Sequence, residues 1–221
     1  MNVKLKWVYK GKKTVALEFE SGWTSQESAE QLIGDIEKTG RVKELVIVDE
    51  MGNEWTPKEY SRLKETIDEE PHDIVVYFDG GFDRTKRNAG LGVVIYFQKN
   101  NKNYRLRTNQ FIDVMDTNNE AEYAALHYAI VQLTEMGVHH IPCTFKGDAQ
   151  GVLRQLLGEW PCYEEKLNGW LDRIETKMDS IGIKSVYEVI SRKENKEADR
   201  LATQALNGVY VHSIKELEKK E

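Results

Sequence analysis

Two cysteines, Cys143 and Cys162, stand in 221 residues, too few and too far apart for a disulfide scaffold or a cysteine-based zinc site. Four prolines and 16 glycines exclude collagen-like and low-complexity architectures. Long apolar runs are also missing. Stretches such as Leu45-Val46-Ile47-Val48 are far shorter than a membrane span, and the first residues, Met1-Asn2-Val3-Lys4-Leu5-Lys6-Trp7, contain no apolar segment of signal-peptide length. A basic excess is lacking too: 31 basic against 37 acidic residues give a net charge of −6. That argues against a broad basic nucleic-acid surface, yet it leaves room for a compact site where metal ions meet phosphate. Secreted, membrane and zinc-finger classes drop out, and a soluble cytoplasmic protein is expected.

What is present divides in two near Asp68-Glu69-Glu70-Pro71-His72, an acidic stretch with a proline between two periodic segments. Before it, Val3, Leu5, Trp7 and Tyr9 alternate with Lys4, Lys6 and Lys10, the period of a half-buried strand. Gly11-Lys12-Lys13 reads as a turn, and Val15, Leu17 and Phe19 continue as a second strand. Thr24-Ser25-Gln26-Glu27 is a capping-box pattern ahead of an amphipathic helix. A buried strand at 43–49 and a short extension at Glu54-Trp55 lead to Thr56-Pro57-Lys58-Glu59, a second helix start. Residues 1–70 are therefore expected to form a small ββαββα (α+β) domain.

The remainder, 71–221, follows another order. An apolar strand at 74–79 ends in an acid and two glycines, and strands at 91–98 and 103–112 continue it. Helices are expected at 118–136, 149–158, 163–179 and 194–206, with strands at 141–146 and 183–191 between them. This is an α/β pattern, a mixed five-stranded sheet flanked by helices. Gly90-Leu91-Gly92 opens a strand with no helix behind it, so close backbone approach is expected there rather than a phosphate loop. Trp160 and Trp170 read as packing residues, and the tail from Lys215 to Glu221 reads as a fraying helix end.

Four acids stand out. Asp79 and Asp148 follow predicted buried strands, at the sheet edge where open α/β folds bind ligands. Glu122 and Asp199 lie on predicted helices among alanines and leucines, a setting that turns them inward. Inward carboxylates are costly unless compensated, and four together can offset one another by sharing cations. Hard oxygen donors select Mg²⁺ or Mn²⁺ over zinc. Two such ions ~3.5–4 Å apart can clamp the attacking and leaving oxygens of a phosphodiester.

The blocks around these acids are Tyr77-Phe78-Asp79-Gly80-Gly81, Thr117-Asn118-Asn119-Glu120-Ala121-Glu122-Tyr123, Gly147-Asp148-Ala149-Gln150 and the run from Arg192 to Ala202. In this order the chain resembles type 1 ribonuclease H, in particular the short stand-alone members called reverse-transcriptase-like, over about residues 73–207. The N-terminal domain carries no such resemblance. The resemblance implies a ribonuclease H-like fold and an endonuclease that cuts the RNA strand of RNA/DNA hybrids by two-metal-ion catalysis. It implies Asp79, Glu122, Asp148 and Asp199 as the catalytic metal ligands, with two Mg²⁺ ions and Mn²⁺ as a substitute. Asp79 would bridge both ions, Asp199 would complete the ion on the water side, and Glu122 and Asp148 would hold the ion on the leaving-group side. By the same resemblance Gly80, Gly81, Thr117, Asn118, Asn119, Gln150 and Arg192 would contact nucleic acid, and Thr117 reads equally well as a helix cap.

The chain departs from the family pattern at three places. The loop after Gly81 lacks the Asn-Pro-Gly of many members, Arg192 stands where some members have a mobile histidine, and the basic handle of the larger enzymes has no counterpart. Lys4, Lys6 and Lys10 on the first strand are candidates to replace that handle by contacting phosphates; an ordinary solvated face that guards an edge strand accounts for them too. Other readings on the same residues are a related phosphodiesterase on another nucleic acid and a non-catalytic nucleic-acid-binding module. No membrane partner is expected. Oligomeric state is open, with a monomer as the working assumption.

Overall fold

The computed structural model describes residues 2–11 and 15–218, which fall into two compact units, Met1–Ile67 and Asp68–Glu221. Lys12 and Lys13 of the expected N-terminal turn, and the final three residues of the tail, lie outside the described residues.

In the first unit β1 (Asn2–Tyr9) pairs antiparallel with β2 (Leu17–Glu20) on one side. On its other side it pairs with β4 (Val42–Asp49), which in turn pairs with β5 (Glu54–Trp55). The short β3 (Thr24–Ser25) adds to β1 ahead of α1 (Gln26–Lys38). The cap of α1 is Ser25, which accepts from the Ser28 amide, and Thr24 is drawn into the sheet instead. At α2 (Pro57–Glu69) the expected capping box forms: Glu59 Oε2 accepts from the Thr56 amide at 3.0 Å, and Thr56 Oγ1 accepts from the Glu59 amide at 3.3 Å. Alternation along β1 buries Val3 and Leu5 against Ala29, Ile47 and Tyr60, with Trp7 partly covered. Lys4 and Lys6 take the opposite face, as the period of two requires.

The second unit is built on β6 (His72–Asp83), β7 (Asn88–Lys99) and β8 (Lys102–Ile112), an antiparallel meander. After α3 (Asn118–Glu135), β9 (Pro142–Gly147) joins β6 in parallel; after α4 (Gln150–Leu156) and α5 (Glu165–Ile181), β10 (Lys184–Val189) joins β9 in parallel. Then come α6 (Lys196–Leu206) and β11 (His212–Leu217), giving the order β10-β9-β6-β7-β8-β11. Among the described residues the sheet therefore has six strands, not five. The segment of β11 reads as helix in the sequence because Lys, Glu and Leu favour helices, and its almost wholly exposed side chains leave no burial pattern to follow. The open edge of β8 supplies its hydrogen bonds, from His212 opposite Thr108 to Leu217 opposite Asn103.

Glycines let the helices close on this sheet. A Cβ at Gly80 would collide with the backbone of Ala121 and Glu122, so β6 and α3 meet backbone to backbone. Added Cβ atoms at Gly90 and Gly92 would strike the carbonyls of Ala202 and Ala198, so α6 lies equally close on β7. Successive residues of a strand face opposite ways, and Gly81 meets Ala202 and Leu206 where Gly80 meets Ala121. The helices α3 and α6 thus cover opposite faces. The core under α3 is continuous from Ile74, Val76 and Phe78 through Leu126, Ile130 and Leu133 to Ile174.

Candidate active site

The strand β6 does not stop at Asp79, as its apolar run suggested, but continues to Asp83 along β7. What stops is its pairing with β9, which runs from Ile74 opposite Cys143 to Tyr77 opposite Lys146. Past Tyr77 that side of β6 is open, and Asp148, directly after β9, is positioned at this gap. Asp79 is 8% exposed there. From one face α3 brings Glu122, whose Oε2 accepts from the Gly80 amide at 3.1 Å. From the other, α6 brings Asp199, whose Oδ1 accepts from Arg192 at 3.1 Å. Four elements thus deliver the four predicted acids to one place, and the glycine contacts set how near the two helices come.

The charges are close enough to perturb one another. Burial, then the neighbouring Asp148 and Asp199, push the Asp79 carboxyl up to about 7, with Arg192 opposing. Burial, then Asp79, push Glu122 up to about 8, while the Gly80 N–H pulls it back. With all four ionised, this cluster would hold more negative charge than its own donors compensate. Among the described residues one cation, Arg192, and one neutral side-chain donor, Asn195, touch it directly. Asn195 Nδ2 donates to Asp148 Oδ1 at 2.7 Å and to Asp79 Oδ1 at 3.4 Å. Sequence reasoning missed Asn195. It falls inside the helix expected at 194–206, whereas α6 begins at Lys196 and leaves Asn195 just ahead of it; only its place within the fourth block hinted at more.

Among the described residues no three acid, histidine or cysteine side chains stand close enough, as they are placed, to hold an ion. The donor set nonetheless fits a hard divalent cation. It is all carboxylate, partly buried and under-neutralised, which is the chemistry Mg²⁺ and Mn²⁺ require.

The other predicted positions scatter around this centre. Thr117 caps α3, its Oγ1 accepting from the Glu120 amide at 3.1 Å, and Asn118 and Asn119 are exposed on the first turn. Gln150 is exposed at the start of α4, and Arg192 is exposed beside Asp199. Gly80 is buried under α3, and Gly81 lies under α6. Lys4, Lys6 and Lys10 belong to the first unit. There Lys4 pairs with Glu20 and Lys6 with Glu54, both at 3.0 Å, on a face that also carries Glu18 and Glu44. Trp170 packs against the core as expected, whereas Trp160, in the irregular segment between α4 and α5, is 48% exposed.

A family model described as reverse transcriptase-like matches residues 77–205, the span that contains all four acids. The uncharacterized protein YpeP of Bacillus subtilis (strain 168) is 43% identical over 201 residues, covering 91% of this chain and 88% of that one, so its likeness includes the first unit. Among solved structures, RNase H1 of the halophilic archaeon Halobacterium salinarum NRC-1 is similar with a TM-score of 0.53 at 26% identity, covering 62% of this chain and 98% of its own. LC11-RNase H1 in complex with RNA/DNA hybrid matches with a TM-score of 0.54 at 26% identity, again over 62% and 98%. The match to the family model, the likeness in fold and the four acids at one gap lead to one conclusion: the chain belongs to the reverse transcriptase-like family and carries its type 1 ribonuclease H fold.

Proposed function

We propose that this protein is a divalent-metal-dependent endonuclease that hydrolyses the RNA strand of RNA/DNA hybrids. The observation that carries this reading is the convergence of Asp79, Glu122, Asp148 and Asp199 from four separate elements, with two of them raised to about 7 and 8 by burial and mutual repulsion. These four residues would hold the cations, which supply water activation and charge stabilisation at the leaving oxygen when bound. The chain's own work is to fix the donors. Gly80 orients Glu122 through its amide, and Arg192 holds Asp199 while it is not otherwise engaged. Asn118, Asn119, Thr117 and Gln150, set around the gap, would contact the nucleic-acid backbone together with the Gly80-Gly81 segment. Strand choice would follow from 2′-hydroxyl contacts and hybrid shape rather than base sequence. The hybrid seen with LC11-RNase H1, a relative in fold, supports the substrate class.

One gel assay tests the reading. Matched hybrid, double-stranded RNA, double-stranded DNA and single strands are offered with Mg²⁺ or Mn²⁺. Cleavage confined to the RNA of the hybrid, and absent in Asp79→Asn, is expected. Cleavage of another duplex instead would point to the related phosphodiesterase. Hybrid binding with no cleavage under either metal would leave a binding module.

A further inference from the structure

Asn195 occupies the cap position of α6, where an asparagine ordinarily turns its side chain to the first amides of the helix. It makes no such bond; its backbone carbonyl accepts from the Asp199 amide at 3.1 Å, and the side chain points the other way. That residue is 1% exposed. Its Nδ2 donates to the Phe78 carbonyl of β6 at 2.9 Å, to Asp148 Oδ1 at 2.7 Å and to Asp79 Oδ1 at 3.4 Å. Two hydrogens thus face three acceptors, while the amide's own Oδ1 is buried without a donor. An orphaned oxygen is costly, and a flipped amide would set that oxygen against all three acceptors. The side chain's own satisfaction therefore does not explain its place. The preceding turn is closed on itself, with Glu194 accepting from the Ser191 amide and hydroxyl, and this leaves Asn195 to face inward.

We infer that Asn195 is a positioning residue that ties the Asp79 and Asp148 carboxylates to each other and to the β6 backbone, setting the spacing of the donors that receive the cations. The inference rests on the metal-dependent reading above. A neutral amide is well suited to this, because it draws two like charges together without adding a positive charge that would compete with a cation. Removing a partner that orients metal ligands in this way typically costs about 10- to 100-fold in metal affinity or activity.

The full chain is compared as wild type, Asn195→Ala, Asn195→Asp and the exchanged pair Asp148→Asn with Asn195→Asp, by metal-free melting and by Mn²⁺ titration calorimetry. Mn²⁺ affinity should fall about 10- to 100-fold in Asn195→Ala, with kcat reduced and KM for hybrid unchanged. Asn195→Asp fills the same space but, once ionised, cannot donate, so in melts above about pH 8 it should melt below Asn195→Ala; a residue that only fills space would give the reverse order. The exchanged pair restores a donor across the same gap at the same net charge as wild type. It should therefore melt above Asn195→Asp alone, a readout that survives if a single variant fails to fold. A wild type that binds no Mn²⁺ would refute the metal-dependent reading, and the melting order would still decide the tie. Mn²⁺ binding equally tight in wild type and Asn195→Ala, or Asn195→Asp melting as high as wild type, would overturn the inference.

Discussion

At the scale of single residues, Asp79 and Glu122 make a testable pH signature. Their folded-state pKa values, about 7 and about 8, lie above the ordinary values of 3.8 and 4.5. Between those limits the folded chain holds protons that the unfolded chain has released, so the contribution of these two groups to metal-free stability is full below about pH 4, declines as pH rises, and levels off above about 8. Asp79→Asn removes one charge from the cluster and should stabilise the metal-free protein at pH 8 by on the order of 2 kcal/mol, with a flatter pH profile. Thermal melts in chelator from about pH 5 to 8.5 check this; a mutant profile parallel to wild type would contradict it. Adding Mg²⁺ at pH 8 should raise the wild-type melting temperature more than the mutant's, because an ion that binds only the folded state shifts unfolding by mass action. The four acids were legible in the sequence because each sits in its own recognisable block. Asn195 was not, since it lies inside the helix expected at 194–206, and only the folded chain shows that α6 starts after it and which way its side chain turns.

At the scale of elements, the site depends on how near α3 and α6 come to the sheet. Gly92→Ala drives a methyl group into the Ala198 carbonyl and should push α6 off β7, taking Asp199 with it. A loss of about 1–3 kcal/mol is expected from overpacking, together with loss of cleavage, although no acid is changed. Gly169→Ala, in α5 with nothing within 4 Å of the new atom, is the control and should gain about 0.5–1 kcal/mol with activity intact. Melting curves and the hybrid assay on both variants decide the matter. Gly90-Leu91-Gly92 announced this close approach in the sequence, but which helix would arrive there was not readable from one strand. The capping box at Thr56 was readable because its chemistry is local. The strand β11 was not, because its state is fixed by the edge of β8, about a hundred residues away in the chain.

At the scale of the whole molecule, charge sets the question that binding experiments answer. Residues 1–20 carry five lysines and two glutamates, a net +3, whereas residues 21–70 carry six basic and thirteen acidic groups, a net −7. If Lys4, Lys6 and Lys10 contact phosphates, replacing all three by Gln should weaken hybrid binding and flatten its salt dependence while the saturated cleavage rate holds. Each phosphate contact adds ~0.9 to the salt slope. The slope lost should be smaller than three such contacts imply, because Lys4 and Lys6 already hold Glu20 and Glu54 and must give them up. Binding measured at several salt concentrations checks this; unchanged affinity and slope would leave the first unit with another role. The two-part organisation was visible from the change of periodicity near residue 70, but what the first unit does was not, since its lysines read alike as contact or as solvated face.

The glycine contacts also bear on how variation in this protein should be interpreted. A substitution is usually ranked by how much chemistry it changes, and glycine to alanine ranks among the mildest. At Gly80, Gly90 and Gly92 that ranking is inverted, because there the absent side chain is the functional group. An inactive allele of this protein could keep all four acids and differ from wild type by a single methyl group.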